Sequence, residues 1–417
     1  MKLNHIELVH FKCFSKISLD LDPHLNLFVG INGTGKSSIL EALRIITGSI
    51  FLSVDKYKKK IYSPSISVDD VQLKDLEPQY PVTLSATGFI SNFKEDRQDK
   101  IISWERSLET HGGLTRNANA REMKDASNAM QLAIRDGKKV IIPLIAYYST
   151  DRYKKERNDY GTIPEGSRLN GFFNSLDSTT NIKFFLDLYY TETLSAIQQG
   201  RDSFELKVIN NAVKTCLNCE DLYYDIKKQE LIYKDKSSHE LMPFHLLSDG
   251  VRSMLAMIME IAFRCYLLNP HLKGNAAKET DGIVLIDEID LHLHPSWQMH
   301  VLNDLRKAFP KIQFIVTTHA PIVIGSIKEG RIFSIVNHEV SDFGLQIGRD
   351  ANYILREMGA QEMDQNIKKD VDNYYIMVEN GKGNSTEAKQ IRTKLENLIG
   401  KDNTLLQRAD VMLSFFK

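Results

Sequence analysis

Residues 30–37 read GINGTGKS and constrain this chain more than any other stretch. The run before them, LNLFV, is short and apolar and predicts a buried strand. The run after them, SILEALRIITG, sets apolar residues at Ile39, Leu40, Leu43 and Ile46 and stops at Gly48, which predicts a helix with a C-terminal glycine. Strand, glycine loop and helix are the setting in which GxxxxGKS cradles phosphate, and a chance match in a loop would lack it. Gly30, Asn32, Gly33 and Gly35 let backbone N–H groups turn inward around phosphate oxygens, and the helix N-terminus adds partial positive charge. Lys36 is placed to reach the β and γ phosphates, with the Ser37 hydroxyl, next to Ser38, as a Mg²⁺ ligand. ATP and Mg²⁺ are the expected ligands.

A second apolar strand, GIVLIDE at 282–288, ends in two acids. Asp287 is the expected metal-holding carboxylate and Glu288 the group that polarises the attacking water. Taken alone, the pattern also fits a strand ending in a solvated acidic turn. Its neighbours favour the first reading. LLSDGVRSM (246–254) puts Ser248 and Gly250 at the start of an apolar helix, an anion-binding position. FIVTTHAP (314–321) ends a third strand at His319, where a γ-phosphate sensor is needed, so Glu288 and His319 are the catalytic candidates. Phosphate loop, long gap, LSDG, acid pair, histidine is the order of ABC-type ATPases, whereas AAA+ proteins bring the acid strand much sooner.

These motifs carry a resemblance. IELVHFKCF, GINGTGKSS, IPLIAYYSTDR, LLSDGVRSMLAMIMEIAFRC, LIDEIDLHLHP, IVTTHAP and the tail EAKQIRTKLENLIGKDNTLLQRAD resemble the ABC-type ATPases of the SMC, RecF and OLD group. Within that group the chain is most similar to the PtuA ATPase subunits of Septu anti-phage systems and their retron-associated relatives. The resemblance implies an α/β, ABC-type P-loop head of two lobes around a mixed or parallel sheet, with a helical insertion and a helical C-terminal tail. It implies that Lys12, in FKCF, reaches the ATP phosphates, and that Ser248 and Gly250 bind the γ-phosphate of ATP held by a second protomer. A homo-oligomer built from head-to-head dimers follows, with an HNH nuclease subunit like PtuB as partner and DNA met through the complex. Asp249 stands where transporters carry glycine, and His294 where many relatives carry the D-loop aspartate. His292 and His294 also admit a metal reading; an interface reading is preferred. Gln72, in DDVQLKD, is the candidate Q-loop glutamine.

The expected organisation is a first lobe over 1–150, a mainly helical insertion over 151–235, a second lobe over 236–347 and a helical tail over 348–417 that serves as a possible docking site. In the tail, Ala388, Ile391, Leu395, Leu398 and Ile399 recur at helical spacing and form one apolar face. That face either packs on the chain's own head or receives the nuclease. No sustained heptads argue for a coiled coil. Lys plus Arg number 53 against 54 Asp plus Glu, so no global field draws in nucleic acid. KYKKK (56–60) and RYKKER (152–157) are local basic runs, read either as solvated faces or as DNA contacts.

Only four cysteines occur, which suits a reducing compartment rather than a disulfide scaffold. Cys216 and Cys219 form one CxxC, read either as half-buried helical thiols or as half of a zinc site. Glu260 and Arg264 break the longest apolar run, so no membrane span is expected, and with no long apolar leader the chain is expected in the cytoplasm. Four functions compete: a sensor–regulator ATPase in an anti-phage complex, a self-sufficient OLD-type nuclease, a RecF- or SMC-like DNA repair or structural ATPase, and a transporter ATPase. The nuclease reading needs a further domain, yet 36 residues follow Gly381, the end of the MVENG that resembles its glutamate. IELVHFKCF and LHLHP oppose the transporter reading.

Overall fold

A computed structural model describes residues 1–54, 61–91, 93, 100–150, 167–177, 182–359, 365–401 and 403–415. It divides into two compact units, Met1–Ile354 and Leu355–Lys417. The basic runs at 56–60 and 152–157 lie outside the described residues.

The first unit opens with β1 (Lys2–Phe11) and β2 (Phe14–Asp20), an antiparallel pair in which Leu3, Ile6, Leu8 and Phe11 are buried. Next come β3 (Leu25–Val29), helix α1 (Lys36–Thr47), a small hairpin of β4 (Leu73–Lys74) and β5 (Glu77–Pro78), then β6 (Val82–Ile90) and β7 (Lys100–Leu108). Buried and half-buried residues alternate without a break along β6, so one face of that strand packs and the other stays partly solvated. Strands β2-β1-β6-β7 make an antiparallel sheet, the first lobe. After α2 (Arg121–Arg135) the chain re-enters the core at β8 (Leu144–Tyr148).

Helices α3 (Ile182–Gln199) and α4 (Phe204–Cys216) follow, then a three-stranded sheet of β9 (Cys219–Asp225), β10 (Glu230–Asp235) and β11 (Leu241–Pro243). Among the described residues, the expected insertion is therefore helical in α3 and α4 and stranded in β9 and β10. Tyr223, Tyr224, Ile232 and Tyr233 favour a pleated surface, and Gln229 takes a φ of 54° in the turn between the strands.

The second lobe is built on α5 (Asp249–Leu268), α6 (Ala276–Glu279), β12 (Gly282–Ile286), α7 (Pro295–Gln298), α8 (Val301–Ala308), β13 (Ile312–Thr318), α9 (Pro321–Ser326), β14 (Arg331–Val336) and β15 (Glu339–Asp342). It joins strands from both ends of the unit in a six-stranded sheet, β15-β14-β3-β13-β12-β8, parallel except at the β15 edge. Every residue of β3, β8, β12 and β13 is buried, as a parallel sheet covered on both faces requires. The architecture is mixed α/β with a helical C-terminal region.

Helix α10 (Ala351–Glu357) spans the division between the units. The second unit contains α11 (Gln365–Glu379), α12 (Thr386–Ile399) and α13 (Thr404–Phe415). Ser385 caps α12, its Oγ accepting the Ala388 N–H at 3.2 Å. Val371, Tyr374, Val378, Ala388, Leu395, Leu406 and Ala409 form this unit's own core, with Ile391 and Ile399 packed against it. This corrects the reading of the apolar stripe. Leu395 is 0% exposed inside that core, whereas Leu398 is 55% exposed and lies off the stripe, so Ala388, Ile391, Leu395 and Ile399 pack within this unit rather than forming a free docking face.

Candidate active site

Backbone constraints fix the phosphate loop. A Cβ on Gly30 would lie 2.7 Å from the Ile335 carbonyl oxygen, and one on Gly35 would lie 2.5 Å from the Phe14 ring and 2.7 Å from Cys13 Sγ. Gly33 and Gly35 also take φ of +84° and +109°, which L side chains rarely adopt. Lys36 is 5% exposed, and its Nζ donates to Gly30 O at 2.8 Å and Ile31 O at 2.9 Å, across the loop it follows. Burial lowers the Lys36 pKa, while Glu288, Asp287 and Asp290 pull it back up. Asn32, Gly33 and Ser37 are exposed and Ser38 is half-buried. No side chain caps α1 and no acid sits in its first turn, so this N-terminus presents N–H groups without a side-chain acceptor. That donor set fits a phosphate.

The turn between β1 and β2 lies against the loop through Cys13 and Phe14. It carries Lys12, whose φ is +50°, whose N–H donates to Asp70 O at 2.7 Å and whose Nζ is 3.4 Å from Asp70 Oδ1. Gln72 lies on the same edge, its N–H donating to His10 O at 2.9 Å and its Nε2 to Ser15 Oγ at 2.9 Å.

The acid face is held by side chains. Thr317 Oγ1 donates to Asp287 Oδ1 at 2.5 Å and accepts the Glu288 N–H at 2.8 Å. Glu288 takes a φ of +47°, sparsely populated for a residue with a side chain. Thr318 Oγ1 donates to buried Asp290, and the other oxygen of Asp290 is 3.5 Å from His319 Nδ1. The register sets Val29 opposite Thr318 and Ile286 opposite Val316 in neighbouring parallel strands. Phosphate loop, acid pair and His319 thus leave the same carboxyl-end edge of β3, β12 and β13, the edge where open α/β sheets bind ligands.

Ser248 is the N-cap of α5, its Oγ accepting the Val251 N–H at 3.4 Å, and Asp249 pairs with Arg252. A Cβ on Gly250 would lie 2.2 Å from His292 O, so glycine is what lets the segment after the acid pair lie on this helix start. His294 caps α7 and its Nδ1 is engaged by Ser296, at 2.8 Å from Oγ. Cys216 Sγ donates to Asp304 O and Cys219 Sγ to Asp221 O; Cys219 lies in strand β9, not in a helix. Among the described residues, no group of three or more His, Cys, Asp or Glu could hold a metal ion.

Sequence reasoning missed Thr317, Thr318, Asp290 and Asp70. The available signals were the TT pair directly before His319 and the third acid in LIDEID.

An AAA domain family model matches residues 5–237, more than half of the chain, and an AAA ATPase domain model matches residues 174–324. The chain belongs to the AAA domain family and is a nucleotide-binding ATPase. Its relatives narrow the class. The chain is similar to the retron Vc95 probable ATPase of Vibrio cholerae serotype O1 biovar El Tor, at 26% identity over 94% of this chain and 86% of that protein. It is also similar to the Septu protein PtuA of Bacillus mycoides (strain KBAB4), at 23% identity over 95% of this chain and 50% of that protein. An SMC head bound to the C-winged helix domain of ScpA aligns with a TM-score of 0.48 and 17% identity, over 82% of this chain and 97% of that one. Among the described residues, no helix is long and apolar enough to cross a membrane.

Proposed function

We propose that this ATPase is the sensor–regulator subunit of an anti-phage defence complex and controls a separate HNH-type nuclease. The observation that carries the reading is the meeting of Lys36, Asp287, Glu288 and His319 along one sheet edge, in a chain similar over nearly its whole length to retron and Septu ATPases. In this reading Gly30, Asn32, Gly33, Gly35 and Ser38 cradle the phosphates, and Lys36 and Lys12 neutralise them. Ser37 and Asp287 would hold Mg²⁺, which when bound supplies charge neutralisation at the phosphates. Glu288 takes a proton from the attacking water as the water oxygen bonds to the terminal phosphorus and the bond to ADP breaks. His319, steadied by Asp290, holds a terminal phosphoryl oxygen.

Ser248 and Gly250 serve the ATP of a second protomer, so two heads close over two nucleotides in an isologous pair. A strictly monomeric, fully active species in analytical ultracentrifugation would remove this part of the reading. The unit Leu355–Lys417 is assigned to partner docking through apolar residues its core leaves exposed, Ile376, Leu398 and Val411.

Tagged protein purified from cells expressing its gene neighbourhood tests the whole reading. Mass spectrometry should identify an HNH nuclease in the eluate, and Leu398→Asp should reduce its recovery without moving the melting temperature. Recovery of repair or chromosome-structure proteins instead would favour the RecF- or SMC-like alternative.

A further inference from the structure

Arg106, on the inner part of β7, is 1% exposed, yet among the described residues it forms no ion pair with a carboxylate. Its Nε donates to Asn117 Oδ1 at 2.8 Å, and its Nη1 donates to Ile45 O and Ser63 Oγ, both at 3.1 Å, and to Pro64 O. Closing off the last carbonyls of α1 accounts for those contacts. It does not account for Nη2, which has no acceptor among the described residues. Arg106 lines a cavity of about 440 Å³ whose other polar walls include Ser63, Ser65 and Asn117. The Ser63 oxygen already accepts from Arg106, which leaves its O–H proton to donate, and Ser65 is an exposed residue. Among the described residues no acid lines the cavity, and the side-chain amide oxygen of Asn117 is occupied by Arg106.

A buried guanidinium beside hydroxyl donors, with no carboxylate among the described residues to balance it, is chemistry for an oxyanion. The donors come from β7 and from the loop before β4. Phe51 and Ile61 supply an apolar wall beside them, giving the cavity a charged half and a greasy half. We propose that this cavity is a second ligand site, separate from the phosphate loop, for a small phosphomonoester whose phosphate sits on Arg106, Ser63 and Ser65 and whose organic part lies on Phe51 and Ile61. The cavity adjoins the C-terminal end of α1, and the phosphate loop lies at the other end of that twelve-residue helix.

Calorimetric titration of the Lys36→Ala protein separates this site from the ATP site, using AMP, inorganic phosphate and adenosine as probes. AMP should bind, with Ser65→Asp weakening it at least tenfold and Arg106→Gln doing the same. Ser65 is exposed, so its substitution decides the matter even where the buried Arg106 variant fails to fold. Binding of phosphate as well as AMP supports the anion contact by itself, and binding of AMP alone supports the same contact with the apolar wall required. Adenosine binding as well as AMP, affinity unchanged by Ser65→Asp, or no binding of AMP or phosphate would each overturn the proposal.

Discussion

The two halves of the ATP site are built by different means. The phosphate loop is specified by its backbone: glycines at 30, 33 and 35 stand where a Cβ would collide or where φ is positive, and Lys36 bonds only to loop carbonyls. The acid face is specified by side chains from two strands, with Thr317 tied to Asp287 and to the Glu288 N–H, and Thr318 tied to Asp290. The residues of the loop are contiguous in sequence, and its glycines let it pack against Ile335 and the β1–β2 turn. The acid face exists only once β12 and β13 are paired in register. Binding is therefore expected to depend on the loop, and turnover on how firmly the second strand pair holds Glu288.

The largest expected effect breaks the acid half alone. Glu288→Gln keeps the shape and removes the base, so turnover should fall at least ~100-fold while ATP still binds. Steady-state phosphate release together with nucleotide titration checks this, and a mutant turning over at the wild-type rate would refute the role. Lys36→Ala attacks the other half. It removes a charge-assisted contact worth roughly 1.5–3 kcal/mol, so ATP affinity should drop at least about tenfold in calorimetry. Equal affinity would mean that the backbone cradle suffices.

The same contrast explains what could be read from sequence. The loop, its strand and its helix were legible because glycine spacing, apolar run and stop signal all lie within residues 25–48. Asp287, Glu288 and His319 were legible as motif positions, but the Asp290–His319 pairing was not, because it depends on which strand lies beside which. Lys12 was picked out by resemblance, while its partner Asp70 comes from a distant 3-10 turn, within the DDVQLKD segment that was singled out for Gln72 alone. In the tail, helical period correctly grouped Ala388, Ile391, Leu395 and Ile399, yet it could not say that the covering surface is α11 and α13. Leu398 was drawn into that group because it stands three residues after Leu395 and seven after Ile391, although its side chain stays exposed. β9 and β10 were hidden by charged residues on the solvated side, where the tyrosines and isoleucine carried the strand signal.

The smallest expected effect sharpens the comparison most, because it leaves every charged group of the site in place. Thr317 is fully buried, and Thr317→Val keeps its volume while deleting the hydroxyl that bridges Asp287 and the Glu288 N–H. Losing buried hydrogen bonds of this kind costs roughly 1–3 kcal/mol, part of it from stability and part from the positioning of Glu288. If about half of that falls on the transition state, turnover drops roughly two- to tenfold, since about 1.36 kcal/mol is one decade in rate. ATP affinity should stay within about threefold of wild type, because the loop is untouched. Thr317→Ser retains the hydroxyl and loses only a methyl, so it should recover most of the rate. A Val variant with wild-type turnover would show that the bridge does not position the base. A Ser variant as slow as Val would show that packing of the methyl, rather than the hydrogen bonds, holds the acid face.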